Sequence, residues 1–211
     1  MEEQPIALRE LKKARAKLAL YEASLELIGE KSFRDVYLDD ICRKAEVSKV
    51  TFFKFFRQKE DVLVYYMRVW LTLRIIELSE EPKRGIAAVR HLLLAVAAEA
   101  KRRSGLMLSL ISFLSEMRMH PCMPELSEAE ISLLFPEHRR IGREEPNLFL
   151  LFQQLAEEAE ADGELREGIT SETGAQLLLT IFYGGFLTAH LYQSQDVMEV
   201  YEAHLRLLRR D

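Results

Sequence analysis

Basic side chains concentrate in one short stretch of the sequence, between Arg43 and Lys59. This stretch carries six lysine or arginine residues and one acid, Glu46, whereas the whole chain of 211 residues has a net charge of −5. Residues 1–60 carry a net charge of +2, and residues 61–211 carry −7. A locally basic segment in an acidic protein indicates a confined surface for phosphate groups rather than a general polycation. A solvated face is the alternative interpretation of the same charges.

The helical pattern around these charges predicts how they are positioned. Residues 39–45 favour a short helix, and Glu46 and Val47 a tight turn. Ser48 is a suitable N-cap for the next helix because its hydroxyl can accept a hydrogen bond from a backbone N–H of the first turn. Two short helices joined by such a turn are typical of a helix-turn-helix, whose second helix enters the major groove of DNA.

A longer helical pattern over residues 10–30 precedes this unit and predicts a three-helix bundle. Lys12, Lys13, Arg15 and Lys17 crowd the first half of this helix, where contact with the DNA backbone and simple solubility are both open roles. The predicted core of the bundle consists of Leu25, Ile28, Phe33, Ile41, Ala45, Val47, Phe52 and Phe56. Phe53 and Phe55 cannot share the face of Phe52 and Phe56, so one or both are expected to be partly exposed.

At residues 18–63 the sequence resembles the DNA-binding domain of the TetR family of transcriptional regulators. The matching positions are Ala23, Glu30, Lys31, Phe33, Asp40, Ile41, Ala45, Val47, Ser48, Lys49, Thr51, Phe56, Lys59 and Glu60. The resemblance implies a two-domain, all-helical homodimer that usually represses transcription and leaves DNA when a small ligand binds.

Four residues depart from the family pattern. Glu46 replaces a turn glycine, and a glutamate is unfavourable if its φ angle must be positive. Val50 replaces a second glycine, Phe53 a tyrosine whose hydroxyl commonly meets a phosphate, and Phe55 a histidine. We expect Val50 to face the groove, where its isopropyl group can meet a thymine methyl.

The expected contacts with DNA follow from the recognition helix and the start of the helix after it. They are Ser48, Lys49, Val50, Thr51, Phe53, Lys54 and Lys59. Lys59 is expected near the N-terminus of the fourth helix, where free N–H groups and the helix dipole favour a phosphate.

Beyond residue 58 the pattern remains helical, with predicted helices at 58–79, 83–103, 105–119, 126–135, 146–162, 171–194 and 196–210. The prediction is an all-α fold, with a helix-turn-helix domain at residues 1–60 and a helical ligand-binding and dimerisation domain at 61–211. Residues 135–147 are charged and bounded by prolines, which favours a mobile loop.

The segment 174–193 is apolar on two sides of a helix, so one side needs a second burial partner. A second subunit is the expected partner, with the last helix completing the interface. The predicted dimer contacts are Leu177, Ile181, Gly184, Thr188, Leu191, Tyr201, Leu205 and Leu208. Gly184 and Gly185 remove bulk where two backbones can approach.

Methionines and aromatics in two of the predicted helices are candidates for an apolar or aromatic effector, although core packing is the alternative role for each. The candidates are Met107, Leu110, Phe113, Leu114, Met117, Phe149, Phe152 and Gln153, with Tyr183 from the dimer helix.

Several classes of function find no support in the sequence. Nucleotide-binding, zinc-protease and serine-hydrolase motifs are absent, so neither an enzyme nor a cofactor is expected. His120 and Cys122 flank Pro121, but two ligands are too few for a closed metal site. Cys42 is expected to be a small buried side chain. No apolar run is expected to span a membrane, and the first residues lack a signal peptide's apolar core, which favours the cytoplasm.

The sequence therefore predicts a ligand-responsive transcriptional regulator, a repressor that binds a palindromic operator as a homodimer and is released by an effector. A TetR-like protein that binds a ligand or protein partner and has lost operator binding is the alternative, because the departures at Glu46, Phe53 and Phe55 weaken the DNA-binding pattern. The operator, the effector and the choice between repression and activation are not encoded in any motif.

Overall fold

The computed structural model describes residues 6–29, 31–117 and 122–210, and every regular element in these ranges is a helix. The predicted all-α fold is confirmed. The elements are α1 Leu8–Ile28, a 3-10 turn at Phe33–Asp35, α2 Leu38–Lys44, α3 Lys49–Phe55, α4 Asp61–Glu80, α5 Gly85–Arg102, α6 Ser104–Glu116, α7 Glu128–Leu134, α8 Arg139–Arg143, α9 Leu148–Ala161, α10 Ser171–Thr180, a π-helical turn at Ile181–Gly185, α11 Phe186–Leu191 and α12 Val197–Leu208.

The chain divides into two compact units. The first comprises residues 1–76 and 109–146, and the second comprises residues 77–108 and 147–211. Residues 61–76 and 109–146, which the sequence analysis placed in the ligand-binding domain, therefore belong to the compact unit that contains the helix-turn-helix. The predicted domain boundary at residue 60 therefore differs from the boundary between the two compact units.

The first unit is built on the predicted three-helix bundle. Contacts join α1 to α2, α2 to α3 and α1 to α3. Of the eight predicted core residues, Leu25, Ile28, Phe33, Ile41, Phe52 and Phe56 are buried, and Ala45 and Val47 are partly so. Cys42 is buried as expected, and this burial raises the pKa of its thiol.

A charged cluster ties α1 to α4 and α7 inside this unit. The Lys17 ammonium lies 2.6 Å from Oε1 of Glu130, and Tyr65 donates its hydroxyl proton to the same oxygen at 2.8 Å. Ser127 donates to Oε2 of Glu130 from its backbone N–H and its hydroxyl, which forms a capping box at the start of α7. Burial acts to raise the pKa of Glu130, but Lys17 and Ser127 outweigh it and hold the pKa below its usual value.

Residues 135–147, expected to form a mobile loop, instead contain the short helix α8. Phe135 is buried, and a Cβ on Gly142 would lie 2.9 Å from both Ile131 and Phe135. Gly142 is therefore required for the close packing of α8 on α7. Its carbonyl accepts a hydrogen bond of 2.8 Å from the buried guanidinium of Arg68.

The second unit packs α9 against α5 and α10, and α12 against α5, α11 and the π-helical turn. Tyr201 of α12 is fully buried and donates its hydroxyl proton to the carbonyl of Phe182 at 2.9 Å. A Cβ on Gly185 would lie only 2.8 Å from two ring carbons of Tyr201, which is too close for a side chain. Tyr201 thus fills the space at the π-helical turn and satisfies one of its carbonyls.

The sequence analysis expected no apolar run long enough to span a membrane, and the helical run Ser171–Leu191 contradicts this expectation. Its 21 residues and mean hydropathy of 1.2 are sufficient for a membrane span by length and composition alone. Its inner face includes Ala175, Leu178, Phe182, Phe186 and Ala189, all buried inside the second unit. An apolar helix with one face in the core of a helical unit has the composition seen here without any membrane.

Candidate nucleic-acid interface

The turn between α2 and α3 has the geometry that the helix-turn-helix pattern requires. Glu46 has a φ of 54°, its N–H donates to the carbonyl of Arg43 at 3.2 Å, and the N–H of Val47 donates to the carbonyl of Cys42 at 2.9 Å. This pair of bonds is the Schellman arrangement that closes a helix C-terminus with one left-handed residue. The glutamate therefore occupies the position of the family's glycine and keeps the turn, at a cost in backbone strain.

The start of α3 is fixed by its cap. The Ser48 hydroxyl accepts a hydrogen bond from the N–H of Thr51 at 3.2 Å, and the two hydroxyl oxygens lie 3.0 Å apart. The predicted N-cap is present. Ser48 and Thr51 are therefore engaged with each other, which orients the first turn of the recognition helix.

The two faces of α3 differ sharply. Phe52 and Phe56 are buried, whereas Val50 is 69% exposed and Phe53 53% exposed. The ring of Phe53 rests edge-on against Phe52 at a centroid distance of 5.5 Å, which limits its freedom. Lys54 is exposed beside it. The outer face of α3 thus offers apolar contacts between cations, as a helix that reads base edges requires.

Lys49 is exposed but forms an ion pair with Asp39 at the start of α2. Both side chains are more than half exposed, so the pair contributes little to stability and can exchange its partner. A DNA phosphate that binds Lys49 therefore competes with Asp39.

The structure corrects the role expected of Lys59. Its ammonium donates to the carbonyls of Phe33, Arg34 and Val36 at 2.8, 3.2 and 2.9 Å, and it lies over the Phe33 ring. All three N–H donors are used inside the first unit, so Lys59 is not available to anchor a phosphate. It holds the 3-10 turn before α2 in place.

The same 3-10 turn is held from a second side. The N–H of Phe33 donates to the Ser109 hydroxyl of α6 at 2.8 Å, in a buried position. Sequence reasoning missed both contacts, because they join residues 26 and 76 positions apart. Tyr37, the N-cap residue of α2, is 74% exposed and was also missed. The signal that could have found it is an aromatic residue directly before the first helix of the helix-turn-helix.

The candidate ligand residues do not all belong to one compact unit. Met107, Phe149, Phe152, Gln153 and Tyr183 lie in the second unit, and Leu110, Phe113, Leu114 and Met117 in the first. Phe152 is fully buried against the ring of Phe182, at a centroid distance of 5.7 Å, whereas Phe149 is about half exposed. Burial raises the pKa of Tyr183 to about 12, which keeps its hydroxyl a neutral donor.

The predicted dimer residues divide into a buried group and an exposed group. Tyr201, Leu205, Leu208 and Ile181 are buried in the core of their own chain. Their burial is a correction to the prediction, because a side chain inside the second unit cannot also form its outer surface. Leu177 and Leu191 are exposed, Gly184 and Thr188 partly so, and the exposed neighbours Leu187 and Leu207 were missed.

Of the two side chains considered as metal ligands, His120 lies outside the described residues and Cys122 is exposed. Within the described ranges, no group of three histidine, cysteine, aspartate or glutamate side chains is arranged to hold a metal ion.

A capped and exposed recognition helix, a closed turn and a supporting first helix define a helix-turn-helix DNA-binding protein. Residues 20–66 match the family model described as bacterial regulatory proteins, tetR family. This segment is therefore similar to the DNA-binding domain of the TetR family of transcriptional regulators.

Solved structures share the fold over nearly the whole chain. Regulatory protein TetR from Rhodobacter sphaeroides is 22% identical, with a TM-score of 0.60 over 92% of this chain and 98% of that one. E. coli NemR in its reduced form is 20% identical, with a TM-score of 0.58 over 92% and 97%. Thermus thermophilus FadR, a TetR family repressor in complex with lauroyl-CoA, is 21% identical, with a TM-score of 0.56 over 90% and 92%. No curated protein matches the sequence.

Proposed function

We propose that this chain is a TetR-family regulator, that it is a repressor rather than an enzyme, and that it acts in the cytoplasm. It binds a palindromic operator in duplex DNA as a homodimer and leaves the operator when a small effector binds. The observation that carries the DNA-binding step is the outer face of α3, where Lys49, Val50, Phe53 and Lys54 are exposed on a capped helix.

The geometry of the turn before α3 supports the proposal that the protein binds an operator, rather than the alternative that it has lost this ability. The departure at Glu46 adds strain but leaves both closing hydrogen bonds in place. The departures at Phe53 and Phe55 remove polar groups without burying the helix. A protein that had lost DNA binding would have no need for a recognition helix with two large exposed apolar side chains, which cost free energy in water.

Homodimerisation is proposed from the exposed apolar side chains of the second unit. Leu191 is 70% exposed and Leu207 63% exposed, and Leu177 and Leu187 are more than a third exposed. A twofold dimer presents two recognition helices, which read half-sites about 34–36 Å apart. The operator is therefore proposed to be palindromic.

The effector is proposed to be a small apolar or aromatic molecule. The support is chemical: the second unit contributes Phe152, Tyr183 and Met107, and aromatic and sulfur-containing side chains suit a flat or flexible apolar ligand. Lauroyl-CoA is bound to the Thermus thermophilus neighbour, and its lauroyl chain is apolar although its coenzyme A group is charged. Lauroyl-CoA and an uncharged lauroyl ester are therefore a suitable pair of probes.

The decisive experiment is selection of bound duplex sequences from a random pool, followed by binding measurements on the selected DNA at several salt concentrations. We expect a palindromic consensus and an affinity that falls steeply with salt, since each phosphate contact adds about 0.9 to the log–log slope. Release by an effector is then measured as loss of binding on addition of lauroyl-CoA and, separately, of apolar and aromatic ligands without a charged group. If no sequence is enriched and no complex forms at low salt, the alternative of a regulator without operator binding stands.

Val50 provides a finer test of the same interface. Val50→Gly restores the residue typical of the family and removes the isopropyl group that is expected to meet a thymine methyl. We expect weaker binding and a changed base preference at one position of each half-site, measured by repeating the selection. Unchanged affinity and unchanged preference would show that Val50 does not face the bases.

A further inference from the structure

A cavity of about 360 Å³ lies in the first compact unit, beside the C-terminal end of the recognition helix. It is bounded by the end of α3, the first turns of α4, the end of α6, one side chain of α1 and the segment ahead of α7. Its volume is at the lower end of the roughly 300–1,000 Å³ that small-molecule sites occupy. The cavity therefore has room for a ligand of one or two rings.

Most of the cavity wall is apolar. Its apolar side chains are Phe55, Phe56, Val64, Phe113, Met117 and Pro124. All of them except Phe56 are half-buried or exposed, so the fold leaves part of their surface in water. An apolar ligand would remove this surface from water, which favours binding. Met117, which is 41% exposed, can adapt its side chain to rings of different shape.

Aromatic contacts hold one side of the cavity in place. The rings of Phe56 and Tyr65 meet edge to face at a centroid distance of 5.8 Å. The Lys17 ammonium lies 4.4 Å from the centroid of the Tyr65 ring and 5.8 Å from that of Phe56. The hydrogen bond from Tyr65 to Glu130 fixes the ring further. A preformed wall lowers the entropy cost of binding, and its rings favour a flat aromatic ligand.

The charged residues of the described lining favour a ligand without charge. Lys17 is already paired with Glu130 at 2.6 Å. The Asp61 carboxylate accepts hydrogen bonds from the backbone N–H groups of Arg57 and Gln58, at 2.8 and 3.2 Å. The side chain of Arg57 is exposed, so water solvates its guanidinium. A charged ligand would lose its hydration in the cavity while Lys17 and Asp61 remain engaged, which costs free energy.

We propose that this cavity is a binding site for a neutral aromatic molecule of one or two rings. Its lining belongs to the first unit, whereas the residues proposed above for the effector belong to the second. Phe55 is the last residue of α3 and Phe56 is its C-cap, so a bound molecule contacts the end of the recognition helix directly. The site goes beyond the proposed function and does not depend on it, because its occupancy is measured without DNA.

The probes are 2-naphthol and 2-naphthoate, which share two fused rings and differ in charge at neutral pH. Isothermal titration calorimetry measures their binding to the full chain. We expect 2-naphthol to bind more tightly, because burial of a carboxylate in an apolar site is costly. Absence of binding by 2-naphthol, or tighter binding of 2-naphthoate, overturns the inference.

Cys122 reports where 2-naphthol binds, because it lines the cavity and is exposed, whereas Cys42 is buried and serves as the internal reference. Mass spectrometry follows the alkylation of each thiol by iodoacetamide. At a 2-naphthol concentration of about ten times its Kd, roughly one chain in eleven is free, so alkylation of Cys122 should slow by up to about tenfold. An unchanged rate at Cys122 under these conditions places the ligand elsewhere and overturns the inference.

Val64→Trp fills the cavity, and Leu73→Trp is its matched control on the same helix. Val64 is half-buried in the cavity wall, whereas Leu73 is 37% exposed and does not line the cavity. We expect Val64→Trp to weaken binding of 2-naphthol by about tenfold or more through steric overlap, and Leu73→Trp to retain the affinity of the wild type. Thermal denaturation tests whether both variants are folded, and the alkylation of the wild type decides the matter if Val64→Trp is not. Equal affinities of two folded variants overturn the inference, while the proposed function stands.

Discussion

Glu46 is the residue at which backbone geometry and side-chain type conflict most clearly. Its φ of 54° lies in the left-handed region, which costs a residue with a Cβ about 1–2 kcal/mol. We predict that Glu46→Gly raises the free energy of unfolding by about 0.5–1 kcal/mol, after the entropy cost of glycine is subtracted. Urea denaturation followed by circular dichroism measures the change.

The control for this prediction is Glu46→Ala, which removes the carboxylate but keeps the Cβ. It should not reproduce the gain, because the strain arises from the Cβ. Equal stabilisation by alanine and glycine would assign the effect to charge instead.

Lys17 and Glu130 form a largely buried ion pair in the first unit, with side-chain exposures of 13% and 7%. Removal of one partner from such a pair leaves the other charge uncompensated, at a cost of about 3–5 kcal/mol. We predict a loss of this size for Lys17→Met at neutral pH, measured by denaturant unfolding. Lys13→Met, which breaks the exposed pair with Glu10, should cost about 1 kcal/mol or less.

The same pair gives the stability of the protein a pH dependence. The folded-state pKa of Glu130 is below its ordinary value, so its contribution is present above that ordinary value and is lost as the pH falls through the folded pKa. In Lys17→Met, burial instead favours the protonated carboxyl. The difference in unfolding free energy between the wild type and Lys17→Met should therefore shrink at acidic pH. A difference that stays constant from pH 7 to about 4 would contradict this assignment.

At the scale of elements, the π-helical turn at Ile181–Gly185 determines which residues of the apolar helix face inward. Gly185 meets the Tyr201 ring, whereas a Cβ on Gly184 would have only Thr180 Cγ2 nearby, at 4.0 Å. We predict that Gly185→Ala costs about 1–3 kcal/mol through overpacking. Gly184→Ala should be neutral or slightly stabilising, since alanine favours helices. Thermal denaturation of the two variants compares adjacent glycines with opposite surroundings, and equal effects would contradict the packing described.

The helix-turn-helix shows which elements a sequence specifies well. Residues 38–55 carry their own signals, since the Ser48 cap and the spacing of Phe52 and Phe56 act within a few residues of each other. The π-helical turn has no comparable signal. One extra residue per turn rotates everything after it, which is why a uniform helical period placed Ile181 and Leu191 on one stripe although only Leu191 is exposed.

At the scale of the whole molecule, the exposed leucines of the second unit predict how the chain associates. We predict that Leu191→Glu shifts the proposed dimer towards monomer at micromolar concentration, because a charge would be buried in an apolar interface. Sedimentation velocity measures this shift. Operator affinity should fall with it, since one subunit reads only one half-site.

Leu94→Glu on α5 is the matched control for Leu191→Glu. Leu94 is also an exposed leucine of the second unit, but it belongs to α5, which contributes none of the residues proposed for the interface. It should leave both sedimentation and operator affinity unchanged. A Leu191→Glu protein that remains dimeric would place the interface elsewhere.

The sequence by itself determined the helical class, the order of the helices and the helix-turn-helix, because periodicity, caps and turn residues act over short distances. The tertiary structure alone decided how individual side chains are used. Lys59 binds three carbonyls of a distant turn, Lys17 is buried against Glu130, and Lys12 is exposed on α1. These three lysines are alike in sequence, and only contacts between residues far apart in the chain make them different.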